Sequence, residues 1–208
     1  MKNIRIVGTG GFAREVLFLI DELGLFNKVK SFIEPDQIWE DKWKDCKIMD
    51  IPVLPFSDVM ENLDQVTIAI GDAKLRQKTT IQLPDNIKYM NLIHPDAKVS
   101  RWSKINEGCI ITAGCIVTTQ IEIGKHCHLN LNTTIGHDCI LGHYFTSAPA
   151  VNISGNCNFE NNIYFGTGAA TRQGINICND VIIGMGAMVV KDITEAGTYV
   201  GIPAKKVN

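Results

Sequence analysis

Residues 129–153 read LNLNTTIGHDCILGHYFTSAPAVNI, and this stretch contains the pattern that decides the fold. Counted from Leu129, every sixth residue belongs to one row of inward-facing positions. An α-helix repeats every 3.6 residues and a simple strand every two, so a period of six fits neither. A six-residue repeat is typical of a parallel β-helix, in which each short strand covers the one below. The row consists of Val99, Ile105, Ile111, Val117, Ile123, Leu129, Ile135, Leu141, Ser147, Ile153, Phe159, Phe165, Thr171, Ile177, Ile183 and Val189.

A second row, four residues after each member of the first, contains small or apolar residues and supports the same register. Five of the seven cysteines fall in it, and a buried free cysteine behaves as a small hydrophobic residue. The odd number of cysteines and the lack of C-x-x-C spacing argue against a disulfide framework. The sequence therefore predicts core cysteines and a reducing compartment. The five are Cys109, Cys115, Cys127, Cys139 and Cys157.

Glycine directly follows several members of the first row, as at Gly136 and Gly142. We expect these positions to need either a positive φ or a close approach of neighbouring backbone.

Overall composition excludes several classes of function. The chain has 208 residues and a net charge of −2, which gives no electrostatic reason to expect binding to nucleic acid. No apolar run approaches the ~18 residues that span a bilayer, so no membrane insertion is expected. Residues 1–7 lead directly into a strand rather than resembling a targeting peptide. A cytoplasmic protein is expected.

Residues 1–93 show a different pattern, in which strands alternate with helices. We predict strands over 4–7, 29–33 and 65–70, and helices over 12–23 and 73–83. This alternation is typical of a small parallel α/β sheet of Rossmann-like type. The predicted domains are residues 1–93, which bind a nucleotide, and residues 94–208, which form the β-helix and a C-terminal tail.

The glycine-rich turn Gly8-x-Gly10-x-x-Ala13 follows a strand and opens a helix, the context that phosphate binding requires. An acidic residue after the second strand, Glu34 or Asp36, lies where a ribose or base contact is expected. About 93 residues make only half of a doubly wound domain, which favours a mononucleotide-type ligand over a dinucleotide. A tight turn with no ligand is the alternative.

The segment from Gly71 to Arg76 ends another strand at the same edge of the predicted sheet. Gly71, Asp72, Lys74 and Arg76 are either ligand-binding residues or part of a solvated helix face.

His137 and Asp138 form the candidate catalytic pair. A carboxylate beside an exposed imidazole fixes its tautomer and raises its basicity, as a general base requires; a solvated turn acid is the alternative interpretation of Asp138. Three repeats of six residues make one coil, so Gly155, 18 residues later, should lie above His137. Its N–H would polarise an acyl carbonyl.

The other histidines of the repeat do not form a metal site in this reading. His143 occupies the next corner, roughly 15 Å away at ~3.3 Å per residue, too far to share a metal ion with His137. The histidine spacing of the zinc-dependent β-helix carbonic anhydrases is absent, so no metal is expected. His126, His128 and His143 are interpreted as surface or interface residues.

Several motifs together resemble the bacterial nucleotide-sugar acyltransferases of the PglD and NeuD type, over nearly the full length of the chain. The matching stretches are 8–15 (GTGGFARE), 70–72 (IGD), 92–95 (LIHP), 135–142 (IGHDCILG) and 200–205 (VGIPAK).

This resemblance implies a left-handed β-helix, a homotrimer, and acetyl-CoA bound between neighbouring helices. The expected reaction is direct N-acetylation of a UDP- or dTDP-linked 4-amino-4,6-dideoxy sugar. His137 would deprotonate the amine, Asp138 would orient it, and Gly155 would hold the acetyl carbonyl. The implied acetyl-CoA contacts are Gly155, Thr146, Thr167, Met185, Ile202 and Pro203. The implied nucleotide-sugar contacts are Gly8, Gly10, Gly11, Phe12, Asp36, Gly71, Asp72, Arg76 and Asn130.

The chain departs from the family pattern at two places. Thr146 stands where members often have a second histidine that touches the coenzyme, and Glu34-Pro35-Asp36 has one acid fewer than the carboxylate-rich version.

Sugar O-acetylation of the sialic-acid type is the enzymatic alternative. A non-catalytic β-helical nucleotide-binding scaffold is the alternative from another class, and an NAD-dependent oxidoreductase lacks a second substrate domain.

Overall fold

The computed structural model describes residues 3–58 and 64–207, and the chain divides into two compact units, Met1–Leu92 and Ile93–Asn208. None of the helices in the described ranges is long and apolar enough to cross a bilayer.

The first unit is a six-stranded sheet with helices. Its strands follow the spatial order Lys47–Ile48, Ile51–Pro55, Val29–Glu34, Ile4–Val7, Gln65–Ile68 and Lys88–Tyr89. All neighbouring pairs are parallel except the first, which is a short antiparallel hairpin. The helices are Gly11–Glu22 and Ala73–Gln82, with short helical turns at Phe26–Lys28, Asp36–Ile38, Trp39–Trp43 and Phe56–Asp58.

The predicted strands and helices of this unit are present, with ends that differ by one or two residues. The pattern of residues 36–58 did not predict the hairpin or its edge strand, because Pro52 and Pro55 interrupt the strand signal. The strand Ile51–Pro55 lies between Lys47–Ile48 and Val29–Glu34 in the sheet, and its two prolines lie at or next to its ends.

The second unit is a parallel β-helix of three sheets. Each rung pairs with the residue 18 positions later, as Thr134 with Asn152 and Ile135 with Ile153. The first sheet contains Leu92–Ile93, Ile110–Ile111, His128–Leu129, Thr146–Ser147, Tyr164–Phe165, Val181–Ile183, Gly197–Val200 and Lys205–Val207. The second contains Lys98–Val99, Ile116–Val117, Thr134–Ile135, Asn152–Ile153, Ala170–Thr171 and Met188–Val189. The third contains Lys104–Ile105, Glu122–Ile123, Ile140–Leu141, Asn158–Phe159 and Asn176–Ile177.

Two polar residues break the apolar row, and both find partners inside the coil. The Ser147 hydroxyl lies 2.8 Å from the Thr133 hydroxyl, and Thr171 Oγ1 accepts from Ser154 N at 3.1 Å. Buried polar groups are tolerated when they are hydrogen-bonded, so neither residue interrupts the stack.

The glycines that follow the row are explained by close approach and not by a positive φ. A Cβ on Gly136 would lie 2.6 Å from Gly155 N, and one on Gly142 would lie 2.4 Å from Glu160 O. The left-handed residues come three positions after the row, as at Asn132, Asp138 and Asn156. The stacked backbones, and not the turn dihedrals, therefore require these glycines.

Three phenylalanines pack against one another in the core of the β-helix. Phe145, Phe159 and Phe165 are each at most 1% exposed, and their ring centroids lie 5.4–5.9 Å apart. Such rings contribute large buried area and favourable offset contacts.

Replacing Phe159 by alanine should lower the free energy of unfolding by about 3–5 kcal/mol, because the ring leaves a cavity that the rigid stack cannot close. Urea titration followed by circular dichroism measures this loss. Phe159→Leu keeps most of the volume and should lose markedly less. A loss below about 1 kcal/mol in the alanine variant would contradict the importance of this cluster.

Candidate functional site

His137 and Asp138 lie at the corner between the second and third sheets. Asp138 adopts a left-handed φ of 58°, which turns the chain around the corner, and its Oδ2 lies 2.7 Å from His137 Nδ1. The two side chains are 51% and 45% exposed. A carboxylate acceptor at this distance holds the imidazole proton on Nδ1, so Nε2 carries the lone pair that a general base uses.

Gly155 stacks directly above this imidazole, as the 18-residue coil predicts. A Cβ at Gly155 would lie 2.6 Å from His137 Nε2, and Asn156 N donates to His137 O at 2.8 Å. Gly155 is buried, and within residues 3–58 and 64–207 its N–H donates to no acceptor. Because an unpaired buried donor is costly, this N–H is suited to an oxygen that a ligand brings.

The neighbouring edge of the β-helix shows what a side chain at the Gly155 position normally does. There, Lys125 N donates to His143 Nδ1 at 3.0 Å, and His143 N donates to Asn161 Oδ1 at 2.7 Å. Each side chain caps the amide 18 residues before it. A glycine at 155 removes that cap and leaves room for the imidazole.

The remaining histidines divide between surface and interior. His143 is exposed, as predicted, but His126 and His128 are 3% and 0% exposed, so the surface interpretation is wrong for them within this chain. His126 stacks on Tyr144 with ring centroids 5.5 Å apart, and His128 is a rung residue on the outer side of the first sheet. In the described part of the chain, no cluster of three or more His, Cys, Asp or Glu side chains could hold a metal ion.

The cysteine below the pair is not a nucleophile. The five cysteines of the second row are buried, which confirms their core assignment. Cys139 Sγ donates to Ser154 O at 3.2 Å, and a hydrogen bond with Cys157, together with burial, raises the pKa of the Cys139 thiol. Cys139 therefore stays protonated and packed in the core.

The glycine-rich turn of the first unit presents an uncapped helix N-terminus. Gly8 has a φ of +104° and its N–H donates to Ile33 O at 2.9 Å, which fixes the turn. Gly10 precedes the helix Gly11–Glu22 without a side-chain cap, and the first turn has no acidic residue. The positive end of a 12-residue helix without a side-chain cap suits a phosphate. Phe12, in the same turn, is half-buried.

The acidic residues after the second strand have separate partners. Thr9 Oγ1 donates to Glu34 Oε1 at 2.6 Å, so Glu34 supports the glycine-rich turn. Asp36 is exposed and accepts from Ser57 N at 3.0 Å. It borders a cavity of about 340 Å³ lined by Asp36, Gln37, Trp39, Glu40, Pro55 and Ser57.

The Gly71–Arg76 segment has structural roles that its sequence did not reveal. Asp72 Oδ1 caps its helix by accepting from Leu75 N at 2.7 Å. Arg76 is fully buried, not on a solvated helix face, and its Nη1 donates to Ile70 O at 2.5 Å and Gly71 O at 3.2 Å. Since arginine is charged, burying it requires such acceptors, and contact of this segment with a ligand stays a prediction.

Apart from Gly155, the predicted acetyl-CoA residues do not share the edge that carries His137. Thr167 and Met185 follow strands of the first sheet and are exposed, as are Ile202 and Pro203 near the C-terminal end. Thr146, also on the first sheet, is only 2% exposed within this chain. Asn130 follows the first sheet as well, and its Nδ2 donates to Ser147 O at 2.7 Å.

A groove beside the His137–Asp138 pair has no local pattern in the sequence, because its residues belong to three successive coils. The groove has a volume of about 430 Å³ and is lined by Trp102, Lys104, Gln120, Ile121, Glu122, Asp138 and Ile140. The sequence signal that could have revealed it is a tryptophan at a turn position, three residues after Val99. In the structure Trp102 is 65% exposed.

Comparison with known proteins adds independent findings. The family model of the PglD N-terminal domain matches residues 3–83. A GDP-perosamine N-acetyltransferase of Escherichia coli O157:H7 is 33% identical over 109 residues, 52% of this chain and 49% of that protein. The matched part thus spans about half the length of this curated relative.

Solved structures match over a larger share of the chain. PerB from Caulobacter crescentus, in complex with CoA and GDP-perosamine, has a TM-score of 0.89 at 28% identity, over 100% of this chain and 98% of that chain. The acetyltransferase domain of PglB from Neisseria gonorrhoeae FA1090, in complex with acetyl coenzyme A, has a TM-score of 0.89 at 26% identity, over 99% of both chains.

These likenesses and the stacked corner define a hexapeptide-repeat protein whose β-helix is left-handed. Together with the match of residues 3–83 to the PglD N-terminal domain, they support the resemblance to the PglD/NeuD-type family that the motifs predicted.

Proposed function

We propose that this protein transfers the acetyl group of acetyl-CoA to the amino group of a nucleotide-linked 4-amino-4,6-dideoxy sugar. The observation that carries the proposal is the corner where His137 Nδ1 is bonded to Asp138 and Gly155 presents an unpaired N–H beside the ring. The activity in the names of the E. coli relative and the ligands of the PerB structure agree with this chemistry.

The corner's geometry supports direct transfer. The sugar amine attacks the thioester carbonyl, and His137 Nε2 takes the proton that the amine loses as the new C–N bond forms. The Gly155 N–H stabilises the oxyanion of the tetrahedral intermediate. When the C–S bond breaks, the coenzyme leaves as a thiolate and the imidazolium returns the proton to it. Asp138 holds the tautomer throughout.

The substrates divide between the two units in this proposal. Residues 1–93 bind the nucleotide, with the helix N-terminus at Gly10 and Gly11 facing the diphosphate, and residues 94–208 carry out acetyl transfer. Neither nucleic acid nor a membrane is a partner in this proposal. We place the reaction in the cytoplasm, since all seven cysteines are free thiols, as in a reducing compartment.

The proposal includes a homotrimer, which the positions of the predicted coenzyme contacts support. His137 occupies the edge after the second sheet, whereas Thr167 and Met185 occupy the edge after the first. One coenzyme that touches both sets needs the edges of two copies. Analytical ultracentrifugation tests this arrangement.

Thiol release tests the activity. The purified protein is incubated with acetyl-CoA and GDP-perosamine, or UDP- or dTDP-linked 4-amino-4,6-dideoxyglucose, and free CoA is titrated with a thiol reagent. Turnover of at least one amine is expected. Turnover only of hydroxyl acceptors, such as a sialic acid, would favour O-acetylation, and no turnover would favour the scaffold alternative.

The nucleotide site predicts a charge-dependent result at Gly11. A side chain fits there, since the nearest atom to an added Cβ is Arg14 Nη2 at 3.9 Å. Gly11→Glu should weaken binding of the nucleoside diphosphate at least about tenfold, because it places a negative charge where the phosphates meet the helix. Calorimetry with GDP, UDP and dTDP in low salt measures this loss and identifies the base.

Gly11→Gln is the matched control, as it has the same size without the charge. If both variants bind equally well, the diphosphate does not lie at this helix N-terminus.

A further inference from the structure

We infer that the groove next to Asp138, hereafter the Trp102 groove, binds the hexose ring of the acceptor, with the Trp102 indole as its platform. This inference rests on the proposed function and deepens it, because it assigns the acceptor sugar to residues outside the catalytic corner.

The exposed tryptophan is the first observation. Trp102 is 65% exposed, although an indole contributes more to stability when buried. The Arg101 guanidinium lies 4.4 Å from the ring centroid, and Trp102 N donates to Ser100 Oγ at 3.3 Å. A cation over one face restrains the ring, so the indole is a positioned surface in the wall of a groove.

The second observation is the groove's polar lining. Lys104 Nζ lies 2.8 Å from Glu122 Oε1, and Gln120 lines the same groove. Ile140, 50% exposed, adds an apolar surface. A hexose offers the same combination, since its C–H face packs on aromatic rings and its hydroxyls bond to charged and amide groups. A deoxy sugar adds a methyl group for the apolar wall.

The third observation is position along the β-helix. The lining comes from three successive coils that end at Asp138, and strands ~4.8 Å apart span about 10 Å in three layers, room for one sugar ring. The predicted acetyl-CoA residues Thr167, Met185 and Ile202 belong to later coils than His137. In direct transfer, the acetyl-CoA donor and the sugar acceptor approach the base from two sides. Because the predicted donor contacts belong to later coils, we assign the sugar to the earlier coils.

The test separates the acceptor from the donor. For Trp102→Ala, the KM for the acceptor should rise about tenfold or more, while the KM for acetyl-CoA and the melting temperature stay unchanged. Trp102→Phe should recover most of the acceptor affinity because it keeps an aromatic face. Three nucleotide-linked amino sugars are candidates for the acceptor in this test: GDP-perosamine and UDP- or dTDP-linked 4-amino-4,6-dideoxyglucose. The one that wild-type protein acetylates is used.

Trp43→Ala is the matched control, since Trp43 is another tryptophan capped by a cation, with Lys42 Nζ 5.0 Å from its centroid. This variant should keep both KM values. An unchanged acceptor KM in Trp102→Ala would overturn the inference, as would a rise in the acetyl-CoA KM alone or a loss of oligomeric state. Failure of the proposed function gives a different result from failure of this inference, because wild-type protein would then acetylate none of the three amines.

Discussion

Replacing His137 by asparagine should lower kcat by about 10²–10⁴-fold, the usual contribution of a general base. The side chain is half exposed and makes its bond with Asp138 at the surface of the corner, so the fold does not depend on it. The melting temperature and nucleotide affinity should therefore stay close to those of the wild type. Steady-state kinetics with acetyl-CoA and the preferred amino sugar measure the loss.

His143→Asn is the control for this variant. His143 occupies the equivalent corner position one edge further along the same coil, and its Nδ1 accepts from Lys125 N. It should retain wild-type kcat. A His137→Asn variant with unchanged turnover would remove the imidazole from the mechanism.

Replacing Gly155 by alanine should lower kcat by about 10²-fold or more, with little loss of stability. The added Cβ would lie 2.6 Å from His137 Nε2, and the atoms it meets all belong to that ring, not to backbone. The imidazole ring has to rotate away from the added methyl group. This rotation displaces the base, and the methyl group covers the Gly155 N–H. Misplacement by about 1 Å is enough for such a loss, and the measurement is kcat beside a thermal melt.

Asn161→Ala is the matched control, because Asn161 holds the same corner position on the neighbouring edge. Alanine there should leave kcat unchanged. If Gly155→Ala keeps wild-type kcat, the stacking of the imidazole beneath Gly155 has no catalytic meaning.

The β-helix could be predicted from sequence because its signal is local and repeated. The six-residue row alone indicated which residues face inward, and adding 18 to 137 predicted that Gly155 lies over the imidazole. The same register predicted that Cys139 is buried, because every residue of the small-residue row points into the core. In the first unit, Gly8 and Gly10 predicted a glycine-rich turn between a strand and a helix, and the structure contains that turn.

Other features lacked a local signal. Arg76 has the sequence context of an exposed helix, yet it is buried because the carbonyl groups of Ile70 and Gly71 accept from its guanidinium. His126 and His128 were interpreted as surface or interface residues, but both are buried within this chain, and His126 stacks on Tyr144.

The sequence by itself determined the register of the coil and the stacking of His137 with Gly155, because a strict period converts residue number directly into height and direction. Only the tertiary structure showed the hydrogen bond that fixes the imidazole tautomer, the burial of Arg76, and the groove that joins Trp102 to Asp138. These depend on side-chain rotamers and on contacts between coils, and a repeat pattern carries no information about either.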